Sequence, residues 1–259
     1  MDLGIEGRRA LVCAASRGLG RACAHSLARE GVAVVINGRD AARLDEAAQA
    51  IYEDTGTSVE TVVADLDREE DRTRLVAACP NADILVTNNG GPPPGRFEDW
   101  EHADWLRALE SNLLAPLMLI RALLPGMKER GFGRIVNITS AMVKTPVAPL
   151  GLSTAARSGL TALCKSISKQ AAPHNVTINN LLPERFDTDR QKQMAEVVAK
   201  LAGISLEEAR AQQRSTIAAG RLGTPEEFGD ACAYLCSAQA GFISGQNLQL
   251  DGGSYDGLI

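Results

Sequence analysis

Seven short runs rich in apolar and β-branched residues, at 10–14, 33–37, 58–63, 84–87, 134–139, 177–182 and 246–250, alternate with stretches of helical periodicity. This alternation leaves few folds open. A strand apolar at nearly every position is buried on both faces, which is the condition of a parallel sheet covered by helices. The intervening segments supply the cover, as 39–54 does by placing Leu44, Ala47, Ala48 and Ile51 on one side of a helix. The pattern predicts a single doubly wound, Rossmann-type α/β domain over residues 1–259, with a seven-stranded parallel sheet and helices on both faces. A chain of 259 residues suits one such unit. No internal repeat or low-complexity segment interrupts it. The Gly90–Gly95 sequence GGPPPG reads as a loop, not a linker. A helical, polar segment at 187–217 is a candidate substrate lid.

Composition narrows the function classes. A net charge of −5 argues against a polyanionic partner, so no nucleic acid is expected. The six cysteines show no metal-ligand spacing, and packing accounts for them, including Cys232 and Cys236 on one helix face. No metal is expected. The N-terminus carries acidic residues and no apolar leader. The most apolar stretch, 113–124, contains Pro116 and Arg121 and reads as too short to span a bilayer. The expectation is a soluble cytoplasmic protein with no membrane partner.

The first run leads into Ser16, Arg17, Gly18, Leu19 and Gly20 and then a helix. Glycines at a strand-to-helix turn let backbone N–H groups approach a pyrophosphate at the positive end of the helix. A plain helix-entry turn is the competing reading. The second run ends in Asn37-Gly38-Arg39, where an acidic residue would hold the ribose hydroxyl of NAD and an arginine suits a 2′-phosphate. Arg39 with Arg17 therefore favours NADP over NAD. Asp40, the rival acid, sits where a helix N-cap belongs.

These segments resemble the short-chain dehydrogenase/reductase family, and within it the 3-oxoacyl-acyl-carrier-protein reductase-like members. ALVCAASRGLGRA is similar to the TGxxxGxG turn, with Cys13 and Ala14 in place of Thr and the first Gly. VVADLDRE resembles the adenine-side segment and implies a place there for Asp65 and Leu66. DILVTNNGG resembles the NNAG segment, keeping Asn88 and Gly90. RLGTPEEFGDACAYLCS and ISGQNLQLDGG resemble the C-terminal region, and the resemblance implies a homotetramer. The nicotinamide side would lie at Pro183, Phe186 and Thr188, with Glu184 in place of the family's glycine.

The family's catalytic residues map onto Asn112, Ser140, Ser153 and Arg157, so the Tyr-x-x-x-Lys pair has become Ser-x-x-x-Arg. Spacing of four keeps Ser153 and Arg157 on one helix face. A tyrosine, with its pKa near ~10, yields a proton beside a cation far more readily than serine. Arginine stays charged and relays no proton, but it can still hold ribose hydroxyls. Tyr52, Tyr234 and Tyr255 lie outside the site segments, although Tyr255, near the C-terminus, could approach a site in a tetramer. Lys144 is better placed as a proton source, but a solvated loop lysine is the stronger reading. The three histidines read as surface or helix residues without an acid partner.

Two functions stay open. One is an NADP(H)-dependent oxidoreductase reducing a small-molecule carbonyl, 3-oxoacyl or imine, without the tyrosine. The other is a catalytically inactive nucleotide-binding member with a regulatory or structural role. The apolar loop of Met142, Val143, Pro146, Pro149 and Leu150 suits an acyl-type substrate.

Overall fold

Strand β1 (Arg9–Val12) lies at the centre of the sheet because it is buried on both sides, with Ala10 and Val12 facing one core and Leu11 the other. The computed structural model describes residues 1–258. From β1 the chain winds outward through α1 (Gly18–Arg29), β2 (Ala33–Gly38), α2 (Ala41–Thr55) and β3 (Val59–Val63). Helix α3 (Glu69–Ala78) carries it back to β4 (Ile84–Thr87) on the other side of β1. Helix α4 (His102–Leu109), α5 (Ala115–Arg130), β5 (Gly133–Ile138), α6 (Gly151–Ala171), β6 (Val176–Pro183), α7 (Asp189–Ala202), α8 (Leu206–Ser215), α9 (Pro225–Cys236) and β7 (Asn247–Leu250) complete it. The strand order is β3-β2-β1-β4-β5-β6-β7, all parallel, as the apolar runs predict. The reversal between β1 and β4 opens a crevice at the carboxyl ends of the strands, where ligands of such sheets bind.

One core packs α1, α2 and α9 on the sheet through Leu27, Leu44, Ile51 and Phe228. The other packs α3, α5 and α6 through Leu75, Leu119, Leu123 and Leu160. Helices α1 and α9 approach so closely that a Cβ on Gly229 would lie 2.4 Å from the Ala22 carbonyl oxygen. The register also aligns Thr87, Asn137, Asn180 and Asn247 across four strands. Their side chains join in a row. Thr87 Oγ1 donates to Asn137 Oδ1 at 2.7 Å, Asn137 Nδ2 to Asn180 Oδ1 at 2.9 Å, and Asn180 Nδ2 to Asn247 Oδ1 at 2.8 Å.

Several sequence expectations need correction. Strand β1 stops at Val12, two residues early, because Ala14 takes the left-handed conformation (φ 47°). The apolar stretch read as 113–124 belongs to one helical run, His102–Arg130, long and apolar enough by itself to cross a membrane. Half of its apolar window is buried in this molecule, where Leu119, Ile120, Leu123 and Met127 pack on the sheet. His25 does have an acid partner, since its Nε2 lies 2.7 Å from Asp54 Oδ2 on the surface between α1 and α2. The six cysteines are buried and free. No metal-ligating cluster occurs among the described residues.

Candidate active site

Three loops at the carboxyl edge build the crevice. The first is the turn after β1. Glutamate or aspartate is absent from the first turn of α1, and no side chain caps it, whereas Asp40, Thr188, Ser205 and Thr224 cap α2, α7, α8 and α9. The amide donors at the positive end of α1 are thus left for an anion. Gly18 takes φ 58°, and Gly20 cannot carry a Cβ, which would lie 2.5 Å from the Ala14 carbonyl oxygen. Ala14 holds its strained backbone because Asn37 Oδ1 accepts its N–H at 2.7 Å and Asn88 Nδ2 donates to its carbonyl at 3.4 Å.

Around this turn, Arg17 and Arg39 are exposed, and neither pairs with a carboxylate among the described residues. Asp40 does cap α2, accepting Arg43 N–H at 3.2 Å. Two free guanidiniums beside an uncapped helix suit a dinucleotide with an extra phosphate. Asn37 has another place than the expected ligand contact. It is buried, with Oδ1 on Ala14 and Nδ2 donating to the Ala64 carbonyl, so it shapes the turn from behind. Leu66 is likewise buried in the core, and Asp65 closes the turn after β3 by accepting Asp67 N–H. Phe186 packs edge-on against Phe228 and fills the space above Gly223, so only its backbone can face the crevice. Thr188 caps α7 and stands beside Gly18. Pro183 ends β6 at the rim.

The second loop follows β4. Gly90 leaves open space where a Cβ would point, and its carbonyl accepts Asn112 Nδ2 at 3.0 Å. Asn112 lies in a π-helical turn (Glu110–Leu114) between α4 and α5, a distortion common at functional sites. Its Oδ1 is buried without a hydrogen-bond partner and lines a cavity of about 10 Å³ with Thr87, Asn88 and Arg157. That is the size for one water.

The third loop follows β5 and enters α6, where Ser153 and Arg157 stand one turn apart. Arg157 Nη1 donates to the Ile138 carbonyl at 2.7 Å, Nη2 to the Asn89 carbonyl at 3.2 Å, and Nε to Ser153 Oγ at 3.1 Å. Burial, with the Arg190 charge nearby, brings the Arg157 pKa down to about 10, so the group stays charged at neutral pH. Ser140 Oγ accepts Met142 N–H at 3.2 Å. Both serine oxygens therefore accept from the protein, which leaves each hydroxyl proton to be donated elsewhere. Tyr255 approaches this side within its own chain, its ring 5.2 Å from Lys144 Nζ. Burial pushes the Glu184 carboxyl above the usual range, with Arg185 and Ser254 opposing the shift.

Sequence reasoning missed Asn89, Gly91 and Arg190. Asn89 ties the second loop to Asp67 at 2.9 Å and to Arg157 through its carbonyl. A Cβ on Gly91 would stand 3.6 Å from Ser153 Oγ, 3.8 Å from Arg157 Nη2 and 4.0 Å from Arg190 Nη2. No local pattern marks these residues, which meet only through tertiary structure.

A doubly wound sheet with an anion-ready glycine turn at its switch point and a polar cluster opposite defines a dinucleotide-binding oxidoreductase scaffold. Residues 13–255 match the family described as Enoyl-(Acyl carrier protein) reductase. The chain is 32% identical over 256 residues to the NADPH-dependent reductase BacG of Bacillus subtilis (strain 168), covering 97% of this chain and 99% of that one. It is 31% identical over 260 residues to the 3-oxoacyl-[acyl-carrier-protein] reductase FabG of Aquifex aeolicus (strain VF5), covering 98% and 100%. Among solved structures, L-sorbose reductase from Gluconobacter frateurii complexed with NADPH and L-sorbose superimposes with a TM-score of 0.95 at 27% identity, covering 100% of both chains. The chain belongs to the short-chain dehydrogenase/reductase family.

Proposed function

We propose that the protein is an NADPH-dependent reductase that converts a carbonyl to an alcohol at a site made by Asn112, Ser140, Ser153 and Arg157. The Arg157–Ser153 hydrogen bond carries this reading, because it fixes a buried cation and a hydroxyl donor on one face of α6. NADPH bound in the crevice would supply the hydride to the carbonyl carbon. Arg17 and Arg39 would hold its 2′-phosphate, the α1 turn its pyrophosphate, and Arg157 its nicotinamide ribose. As the carbonyl oxygen gains charge, the Ser153 and Ser140 hydroxyls donate hydrogen bonds to it, and Arg157 stabilises the charge through Ser153. One proton from solvent, passed through a serine hydroxyl, completes the alcohol. Asn112 keeps the second loop in register through Gly90.

The substrate class we favour is an acyl-type carbonyl compound on the apolar loop at 142–150. Exposed Leu106, Leu114 and Met118 on the α4–α5 run, with Leu163 on α6, support a homo-oligomer, taken as a tetramer. A cytoplasmic place accords with this reading.

NADPH oxidation against 3-oxoacyl thioesters, ketones and cyclic imines tests it. Native protein turns over at least one class, and Ser153→Ala lowers its kcat by about 100-fold. NADPH binding without turnover on any class would instead place the protein among inactive nucleotide binders. The cofactor preference has its own check. Arg17→Ala/Arg39→Ala raises the Kd for NADPH by about 10- to 100-fold with little change for NADH, since charge-assisted hydrogen bonds are worth roughly 1.5–3 kcal/mol. Equal losses for both nucleotides, read by fluorescence titration, would remove these arginines from phosphate binding.

A further inference from the structure

Arg157 and Arg190 bring two positive charges to one place without a carboxylate. Arg157 is only 8% exposed, and its guanidinium is satisfied by two backbone carbonyls and Ser153 Oγ, all neutral. Arg190, in the first turn of α7, reaches back so that its Nη2 and that of Arg157 both lie within 4.0 Å of the space above Gly91. Ser153 Oγ borders the same space. Neither arginine forms an ion pair among the described residues, although fourteen such pairs are formed elsewhere. A buried cation without a counter-charge is costly, and a second cation beside it raises that cost. An anion entering above Gly91 relieves both. Glycine at position 91 keeps the entrance clear, since any side chain would point into the three groups.

Resting on the reductase reading, we infer that the substrate carries a carboxylate, held by the Arg190 guanidinium while its carbonyl lies against Ser153. The planar fork of arginine matches a carboxylate with two parallel hydrogen bonds. The exposed stem of Arg190 lets it follow the substrate, whereas Arg157 is pinned. The class is therefore an oxo acid, with the spacing between carbonyl and carboxylate set by the distance from Ser153 to Arg190. The apolar loop at 142–150 would then take the hydrocarbon end. The rival role for Arg190 is a clamp on the cofactor pyrophosphate, because Thr188, two residues before it, stands next to Gly18.

Calorimetric titration of the native protein with 2-, 4- and 5-oxohexanoate and their methyl esters, with and without NADP⁺, tests the inference directly. At least one acid binds ten-fold or more tighter than its ester, and Arg190→Gln erases that ratio while Arg190→Lys restores part of it. Equal binding of acid and ester, no binding of any acid, or a ratio unchanged in Arg190→Gln overturns it. So does an Arg190→Gln protein whose only defect is a weaker Kd for NADPH, which would assign Arg190 to the cofactor. Reduction of the esters reports separately on the reductase reading. Turnover of esters without acid preference sinks the carboxylate site alone, and acid binding without any turnover sinks the reductase reading alone.

Discussion

Replacing Arg157 with leucine lowers kcat/KM by about 1,000-fold, the scale of losing preorganised charge stabilisation at a developing oxyanion. The guanidinium does three things that leucine cannot. It donates to Ser153 Oγ and so leaves the hydroxyl proton free to be donated, it joins the second and third loops through the Asn89 and Ile138 carbonyls, and under the proposed mechanism it would place positive charge behind the reacting oxygen. Lysine recovers only part of the loss, since one ammonium on a flexible stem cannot reproduce three donors in a fixed plane. The fold should survive the leucine variant. It strands two carbonyls but also removes a buried charge that has no carboxylate partner, and these opposing effects nearly cancel. Steady-state kinetics beside a thermal melt separate the outcomes. A leucine variant with an unchanged melt and activity within tenfold of native would show that Arg157 takes no part in the chemistry. The charge also sets an alkaline limit. With a pKa of about 10, Arg157 loses its proton as pH rises through that value, and activity falls on the same limb.

Asn137→Ala is expected to cost about 3–5 kcal/mol of stability, among the largest losses for one residue here. Asn137 is fully buried in β5, and its amide is spent in both directions, accepting from Thr87 and donating to Asn180. Alanine leaves the Thr87 hydroxyl and the Asn180 oxygen without partners in an apolar interior, each costing ~1–3 kcal/mol, and opens a cavity beside Cys164. Because the row crosses β4 to β7 at the level from which the second and third loops depart, activity should fall along with stability. Denaturant melts of Asn137→Ala, Asn180→Ala and the double variant read the coupling. In a row, the double variant loses less than the sum of the singles. Strict additivity would mean that the amides act separately.

Much of the architecture was legible because the five inner strands, β1, β2, β4, β5 and β6, are buried at nearly every position, whereas the edge strands β3 and β7 are only partly covered. The glycine turn was legible for a related reason, since Gly18 and Gly20 answer local demands of backbone conformation and close approach. That Ser153 and Arg157 share one face of α6 was also readable, because residues four apart on a helix keep their relation in any environment. Other features were hidden by their length scale. The end of β1 shifted because Ala14 is held left-handed by Asn37 and Asn88, residues 23 and 74 positions away. The run His102–Arg130 was read short because Pro116 suggested a break, whereas the proline sits in the first turn of α5, following the π turn, where its missing N–H is tolerated.

By itself, then, the sequence determined the sheet, its helical cover, the glycine turn after β1 and the residue types opposite it, because each rests on periodicity or on the conformational needs of a few adjacent residues. Only the tertiary structure decided that Asn37 and Leu66 face inward, that Arg190 meets Arg157 above Gly91, and that Tyr255 comes to Lys144. Those outcomes depend on how separate loops converge at one edge of the sheet. A local pattern records what a residue prefers, and the strand order and packing of distant elements decide which residue it meets.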